Sequence, residues 1–235
     1  MSTVVTNNPR HEEMMDLATR ALDHFQNHTT DMAPEPMLMP VEAYTNQERY
    51  AAERERIFKN LPLALALSLE LPEAGDYKAM TVMETPIILC RNDQGRVKCF
   101  LNACRHRGAR LCEDGRSSSR VFACPYHAWT YDRDGSLIGR YAEETFGELD
   151  YSQYGLTELP CEERSGLIWV SLTPHAHFDL DEWLGDFAAE LDTLALTDWH
   201  LHESRVLKSP GWKITMDGCL EAYHHNLVHG KTVGK

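Results

Sequence analysis

Long apolar runs are missing from this chain. Its 235 residues offer residues 61–71 (LPLALALSLEL) as the longest candidate, which Glu70 interrupts and which falls short of the ~20 residues a membrane-spanning helix needs. Residues 1–30 have neither the basic start nor the apolar core of a secretory leader. Positive charge is scarce: 23 Lys and Arg against 36 Asp and Glu leave a net charge of −13, which argues against nucleic acid or an anionic membrane as a partner. Repeats and low-complexity tracts do not occur. Seven cysteines, an odd number, do not make a disulfide framework and point to a reducing, cytoplasmic setting. What is present, 43% hydrophobic residues, suits a globular core of one or two domains.

Two short segments carry the chemistry. Cys104-Arg105-His106 and Cys124-Pro125-Tyr126-His127 read C-x-H, seventeen residues, then C-x-x-H. Structural zinc sites favour C-x2-4-C and H-x3-5-H pairs, whereas here each segment supplies one thiolate and one imidazole. A Rieske [2Fe–2S] centre needs two Cys on one iron and two His on the other. Cys104, His106, Cys124 and His127 are therefore the candidate cluster ligands. Cys90, Cys99, Cys112, Cys161 and Cys219 are read as core or incidental thiols.

The surroundings predict a small antiparallel β domain from about residue 75 to 175. Residues 96–101 (RVKCFL) and 120–123 (RVFA) precede the two loops as strands, and residues 129–132 (WTYD) leave the second. Asp134-Gly135 reads as a hairpin turn, and Asp93-Gln94-Gly95 as another after 86–91 (PIILCR). Residues 166–172 (GLIWVSL) supply a further buried strand.

A second constellation lies near the C-terminus, where Glu221, His224, His225 and His229 crowd together. Two imidazoles and a carboxylate with open positions make the facial triad of non-haem Fe(II) oxygenases. On a regular helix Glu221, His225 and His229 share one stripe, whereas His224 and His229 diverge by about 140°. Spacing alone leaves His224 and His225 as alternatives.

The segments CRHRGARLC and CPYHAWTYDRDGSL resemble the Rieske domain of Rieske non-haem iron oxygenases, the α subunits of ring-hydroxylating dioxygenases and related monooxygenases. The likeness runs from about Tyr44 to the last residue. It implies an α+β fold: N-terminal helices and a linker over 1–60, an antiparallel β Rieske domain over 61–178, and over 179–235 the start of a helix-grip-like catalytic domain. Respiratory and photosynthetic Rieske proteins are the rival family. Their cluster-side disulfide would fall at Ala109 and Tyr126, and their hydroxyl donor to the sulfurs at Trp129. Fewer hydrogen bonds to sulfur imply a lower potential within the roughly −150 to +300 mV Rieske range. The oxygenases usually carry Gly where this chain has Ala128, a replacement strained if φ is positive there.

The same resemblance assigns roles. The family pattern of acid, two residues, His, four residues, His falls on Glu221, His224 and His229. The two His would bind a mononuclear iron, and Glu221 would be the acid linking that iron to the Rieske His of a neighbouring subunit. Glu rather than the more frequent Asp resembles oxygenases of quaternary amines such as carnitine or glycine betaine. The family's Asn before Trp212-Lys213 is Gly211 here, and its following Glu-Asn pair is Asp217-Gly218. Its third iron ligand, an Asp more than a hundred residues past the second His, has no counterpart before Lys235. A truncated product, a fragment or one piece of a split enzyme is the expectation.

The implied function is a cytoplasmic oxygenase component. An NAD(P)H-dependent reductase or ferredoxin would reduce the [2Fe–2S] cluster, and a mononuclear Fe(II) would activate O2 to hydroxylate a small organic substrate, aromatic or quaternary amine, in a homotrimer. A stand-alone electron carrier and a non-catalytic partner subunit of a split oxygenase are the alternatives. Arg105 and Arg107 are read as solvated surface residues.

The N-terminal region is read as helical. Asn8-Pro9 marks a helix start, followed by Met14, Leu17, Ala18, Ala21, Leu22 and Phe25 at helical spacing. Residues 29–40 form a Pro- and Met-rich linker. Thr45-x-x-Glu48 predicts a capping box opening a second helix to about Lys59, and packing against the β domain is the expected role. Leu180, Trp183, Leu184, Phe187 and Leu191 predict one more helix.

Overall fold

The computed structural model describes residues 11–221 and 223–232. Two compact units divide the chain, Met1–Ala43 and Tyr44–Lys235. In the first, α1 (His11–Asn27) has Glu12 and Glu13 in its first turn and His24 in its last, the arrangement the helix dipole favours. The helix buries none of its residues, and Met14, Leu22 and Phe25 are exposed. The start expected at Asn8-Pro9 lies outside the described residues. A four-residue turn, α2 (Glu42–Thr45), leads into the second unit.

The second unit opens with α3 (Gln47–Glu53), which continues into a π-helical turn, Arg54–Phe58. Its cap corrects the expected one: Asn46, not Thr45, accepts from Arg49 N–H at 2.8 Å. Thr45 is taken up as the last residue of α2, and an Asn side chain at the next position reaches the third helical N–H as well as Thr would.

Eleven strands then make three antiparallel sheets among the described residues. They are β1 (Leu63–Leu67), β2 (Asp76–Val82), β3 (Thr85–Arg91), β4 (Val97–Leu101), β5 (Gly115–Ser118), β6 (Phe122–Ala123), β7 (Thr130–Tyr131), β8 (Leu137–Gly139), β9 (Glu158–Leu159), β10 (Cys161–Arg164) and β11 (Leu167–Val170). The orders are β1-β11-β10, β5-β2-β3-β4-β9 and β6-β7-β8. β3 is buried along Ile87, Ile88, Leu89 and Cys90, a continuous apolar run that fits a strand covered on both faces. Its alternate residues feed two cores. Ile88 and Cys90 join Phe100, Phe122, Trp129 and Tyr131, while Ile87 and Leu89 join Cys99, Leu159, Ile168 and Val170. The core residues include Cys104 and Cys124, so the β6-β7-β8 sheet and the first loop close over the same apolar centre.

Both expected turns form. Gly95 N–H donates to Asn92 O and Gly135 N–H to Asp132 O. Gly135 has φ +82, and a Cβ there would sit 2.5 Å from the Phe100 ring. The helix predicted across residues 180–191 is instead two, α4 (Leu180–Leu184) and α5 (Phe187–Thr193), broken where Gly185 turns to φ 50, ψ −133. The break buries Leu180, Leu184, Ala188 and Leu191 against Trp169 and leaves Trp183 and Phe187 exposed. Beyond them lie α6 (Trp212–Leu220) and the single turn α7 (His225–Val228).

Gly135→Ala combines a positive φ with a clash against a buried ring. We expect it to cost about 2–4 kcal/mol, read as a lower denaturant midpoint at unchanged m-value; an unshifted midpoint would contradict this packing.

Candidate metal centre

Cys104 and His106 lie on the loop after β4, and Cys124 and His127 on the loop joining β6 to β7. The two loops repeat one hydrogen-bond pattern. Cys104 N–H donates to Ala109 O and Gly108 N–H to Cys104 O, both at 2.8 Å; Cys124 N–H donates to Trp129 O at 2.8 Å and Ala128 N–H to Cys124 O at 2.9 Å. In each loop the fourth residue past the cysteine is left-handed, Gly108 at φ +74 and Ala128 at φ +52. Glycine accepts that conformation at no steric cost and alanine does not.

The pattern brings the four side chains together. Both cysteines are buried, at 3% and 4% exposure; burial first, and then the nearby Cys124, push the Cys104 thiol up. The His106 and His127 rings lie 4.8 Å apart between centroids. Burial, with positive charge from His127 and Arg107, lowers the His106 pKa. Nδ1 of His106 and Nδ1 of His127 are both buried and have no hydrogen-bond partner. A buried, unpaired polar atom costs about 1–3 kcal/mol. Two such nitrogens beside two buried thiols fit a metal group lying between them. Among the described residues no three His, Cys, Asp or Glu side chains converge as they would around a single ion; a two-iron cluster takes two protein ligands per iron, which is what these loops can supply.

Aromatic rings hold the imidazoles. Trp129 stacks on His106 at 5.0 Å and 6°, and Tyr126 covers His127 at 3.9 Å. Phe146 meets His106 edge-on at 5.8 Å. Arg105 and Arg107 are exposed.

Two residues of the site were not anticipated from sequence. Tyr131, fully buried, places its hydroxyl 3.3 Å from Cys104 Sγ and accepts Arg105 N–H at 3.0 Å. Burial and the Cys104 sulfur raise its pKa, so it remains a protonated donor. Trp129 does fail to supply a hydroxyl, but Tyr131 two residues later offers one. Asn102, 1% exposed, accepts Leu111 and Cys112 N–H through Oδ1 at 2.9 and 3.1 Å and donates to Cys112 O at 2.7 Å. It closes the base of the first loop. A buried asparagine at a strand end, followed at once by a ligand loop, was the available signal.

Of the remaining thiols, Cys90 and Cys99 are buried, Cys112 and Cys161 half-buried, and Cys219 exposed. Burial pushes Cys90 and Cys161 up to about 12 and Cys99 well up, and none of the seven cysteines is in a disulfide.

At the C-terminal constellation the helix stops before the ligands. α6 ends at Leu220 and Glu221 is extended (φ −121, ψ 145), so Glu221, His225 and His229 do not share one helical stripe. Among the described residues, α7 occupies the span between His224 and His229. Glu221 Oε1 pairs closely with His224 Nδ1 while Oε2 accepts His224 N–H at 3.2 Å, and His224 holds the Glu221 carboxyl below the usual range. A carboxylate on Nδ1 fixes the tautomer and leaves Nε2 as the ligand atom. The His224 and His229 rings are 5.5 Å apart, and His225 lies 4.7 and 5.9 Å from them.

Known proteins share this arrangement. Residues 62–152 match the Rieske [2Fe-2S] domain. The glycine betaine monooxygenase oxygenase subunit of Chromohalobacter salexigens is 34% identical over 94% of this chain and 52% of its own length. The anthranilate 1,2-dioxygenase large subunit of Acinetobacter baylyi is 31% identical over 79% of this chain and 41% of its own. The quaternary ammonium Rieske monooxygenase CntA, solved with gamma-butyrobetaine, superposes with a TM-score of 0.75 at 28% identity, covering 82% of this chain and 56% of CntA. Naphthalene 1,2-dioxygenase from Rhodococcus, solved with indole, gives 0.68 at 34% identity over 82% and 46%. Residues 62–152 are a Rieske [2Fe-2S] domain, and the chain as a whole is similar to the oxygenase subunits named above. It spans about half the length of the curated relatives it matches.

Tyr131→Phe removes a donor that favours the more negative, reduced cluster. We expect the midpoint potential to fall by roughly 20–60 mV, taking the bond as about 0.5–1.5 kcal/mol and 59 mV per tenfold for one electron; an unchanged or higher potential in protein-film voltammetry would contradict the assigned contact. Ala128→Gly relieves the left-handed alanine and should raise unfolding stability by about 0.5–1 kcal/mol, measured by urea titration.

Proposed function

We propose that this chain is the electron-receiving part of a Rieske oxygenase. The observation that carries the reading is the pair of buried, partnerless His106 and His127 Nδ1 atoms facing two buried thiols. Cys104 and Cys124 would hold one iron of the [2Fe–2S] cluster and His106 and His127 the other. The bound cluster supplies one-electron transfer. Tyr131 donates to the Cys104 sulfur, and the exposed edges around Tyr126 and Arg105 leave the His side open to a reductase or ferredoxin.

Residues 179–235 begin the second part of the enzyme, after a Rieske domain over 61–178. There His224 and His229 would hold a mononuclear Fe(II), with Glu221 orienting His224 through Nδ1 and serving as the acid that faces a neighbouring subunit in a homotrimer. O2 and a small organic molecule would be the substrates. Two of the similar curated relatives, one of them matching 94% of this chain, are named for glycine betaine, and CntA was solved with gamma-butyrobetaine and L-carnitine, so a quaternary amine is the first substrate to try, ahead of an aromatic ring. No helix among the described residues is long and apolar enough to cross a membrane, and the reduced cysteines suit the cytoplasm.

A stand-alone electron carrier is the second reading. It rests on the Rieske-type loops alone, which hold their four donors without any contribution from residues 179–235.

Metal content separates the two. The oxygenase reading expects roughly three irons per chain, two in the cluster and one on the imidazoles, with substrate-dependent O2 uptake when a reductase and NADH are supplied. Two irons and no uptake favour the carrier. His224→Ala should lose the third iron while His225→Ala keeps it; the reverse pattern would move the ligand to His225.

A further inference from the structure

We propose that Glu53 is a positioning residue that fixes the Glu221–His224 segment to the Rieske side of the molecule. The inference rests on the reading of His224 as an iron ligand only for its functional meaning; the contacts of Glu53 stand without it.

α6 leads directly into Glu221, yet it buries none of its own residues. Apolar packing therefore does little to hold it, and its placement depends on polar contacts at its first turn. Glu53, the last residue of α3, is 8% exposed. Its Oε1 accepts Lys213 Nζ at 2.7 Å and Arg49 Nε at 3.1 Å, and its Oε2 accepts Trp212 Nε1 at 3.2 Å. Both carboxylate oxygens thus engage donors, two of them from the start of α6, some 160 positions away in sequence. The Phe58 ring meets Trp212 edge-on at 5.5 Å, and Tyr44 OH donates to Asp217 at 2.7 Å one turn further along.

The other end of this lever is equally fixed. The carbonyl of Lys59, just past the π turn, accepts Ser171 Oγ at 3.2 Å and Thr173 Oγ1 at 3.0 Å. Ser171 is fully buried at the end of β11. A continuous set of contacts therefore runs from β11 through Lys59 and α3 to Glu53, then through Trp212 and Lys213 along α6 to Glu221 and His224. A buried carboxylate with charged, bonded partners is costly to break from one side only, because the remaining charge is stranded.

The test uses the full chain with its cluster loaded. Glu53→Gln and Lys213→Met remove the ion pair from opposite sides, and Glu53→Asp is the conservative variant. The Rieske EPR g-values and amide exchange in β3 and β4 serve as fold controls. In both disrupting variants we expect exchange of residues 212–229 to quicken at least tenfold, and Co(II), the probe ion read by its visible absorption, to bind at least tenfold more weakly. Glu53→Asp should restore part of both. If Glu53→Gln does not fold, Lys213→Met alone decides. Unchanged exchange and unchanged Co(II) affinity in the disrupting variants overturn the proposal. Co(II) binding in the parent that survives His224→Ala sinks the iron-ligand reading instead, and amide exchange then still decides the role of Glu53.

Discussion

The β domain depends on one constraint: two thiols and two imidazoles must be brought together from separate loops, with both imidazole Nδ1 atoms left unpaired. Two imidazole nitrogens left buried and unpaired are a liability in an apolar core, since each such atom costs stability. The fold tolerates this because two loops of the same hydrogen-bond pattern hold the donors from opposite sides, and because the surrounding core is otherwise complete. A metal group held between the loops would turn that liability into a stabilising one and couple folding to cluster binding.

The supports of that centre come from unlike sources. Alternating residues of β3 serve both cores, so the strand that underlies the cluster also fastens it to the β1-β11-β10 sheet. Asn102 closes the first loop by three bonds to main-chain groups, and Trp129 and Tyr126 fix the imidazole planes. Tyr131 connects the two loops, since it belongs to the strand leaving the second and touches the sulfur of the first. The potential and the geometry of the centre are thereby set by residues that are not ligands.

The candidate ligands stood out in the sequence because metal chemistry constrains both residue type and spacing, and the strands around them because Gly95 and Gly135 mark turns between apolar runs. Ala128 was legible only through the family resemblance, which expects Gly there, and its φ of 52 shows why. Other features depended on contacts distant in sequence. Tyr131 as a sulfur donor, Asn102 as a loop closure and Glu53 as an anchor for Trp212 and Lys213 are set by folding, not by local pattern. The cap at Asn46 instead of Thr45 turned on a choice between neighbouring polar residues, and the break at Gly185 on a glycine that an apolar periodicity of 3.6 had masked. Glu221, with His224 and His229, occupied an intermediate place: the residues stood out, but the end of α6 at Leu220 decided which of them could pair.

The account stands most directly on the state of the four donors. EPR of the dithionite-reduced, purified chain, with iron and acid-labile sulfide measured on the same sample, tests it. A rhombic Rieske-type signal with roughly two irons and two sulfides in the cluster, lost in Cys104→Ser and His106→Ala, is the predicted result. A colourless protein holding zinc at the same four residues would contradict it.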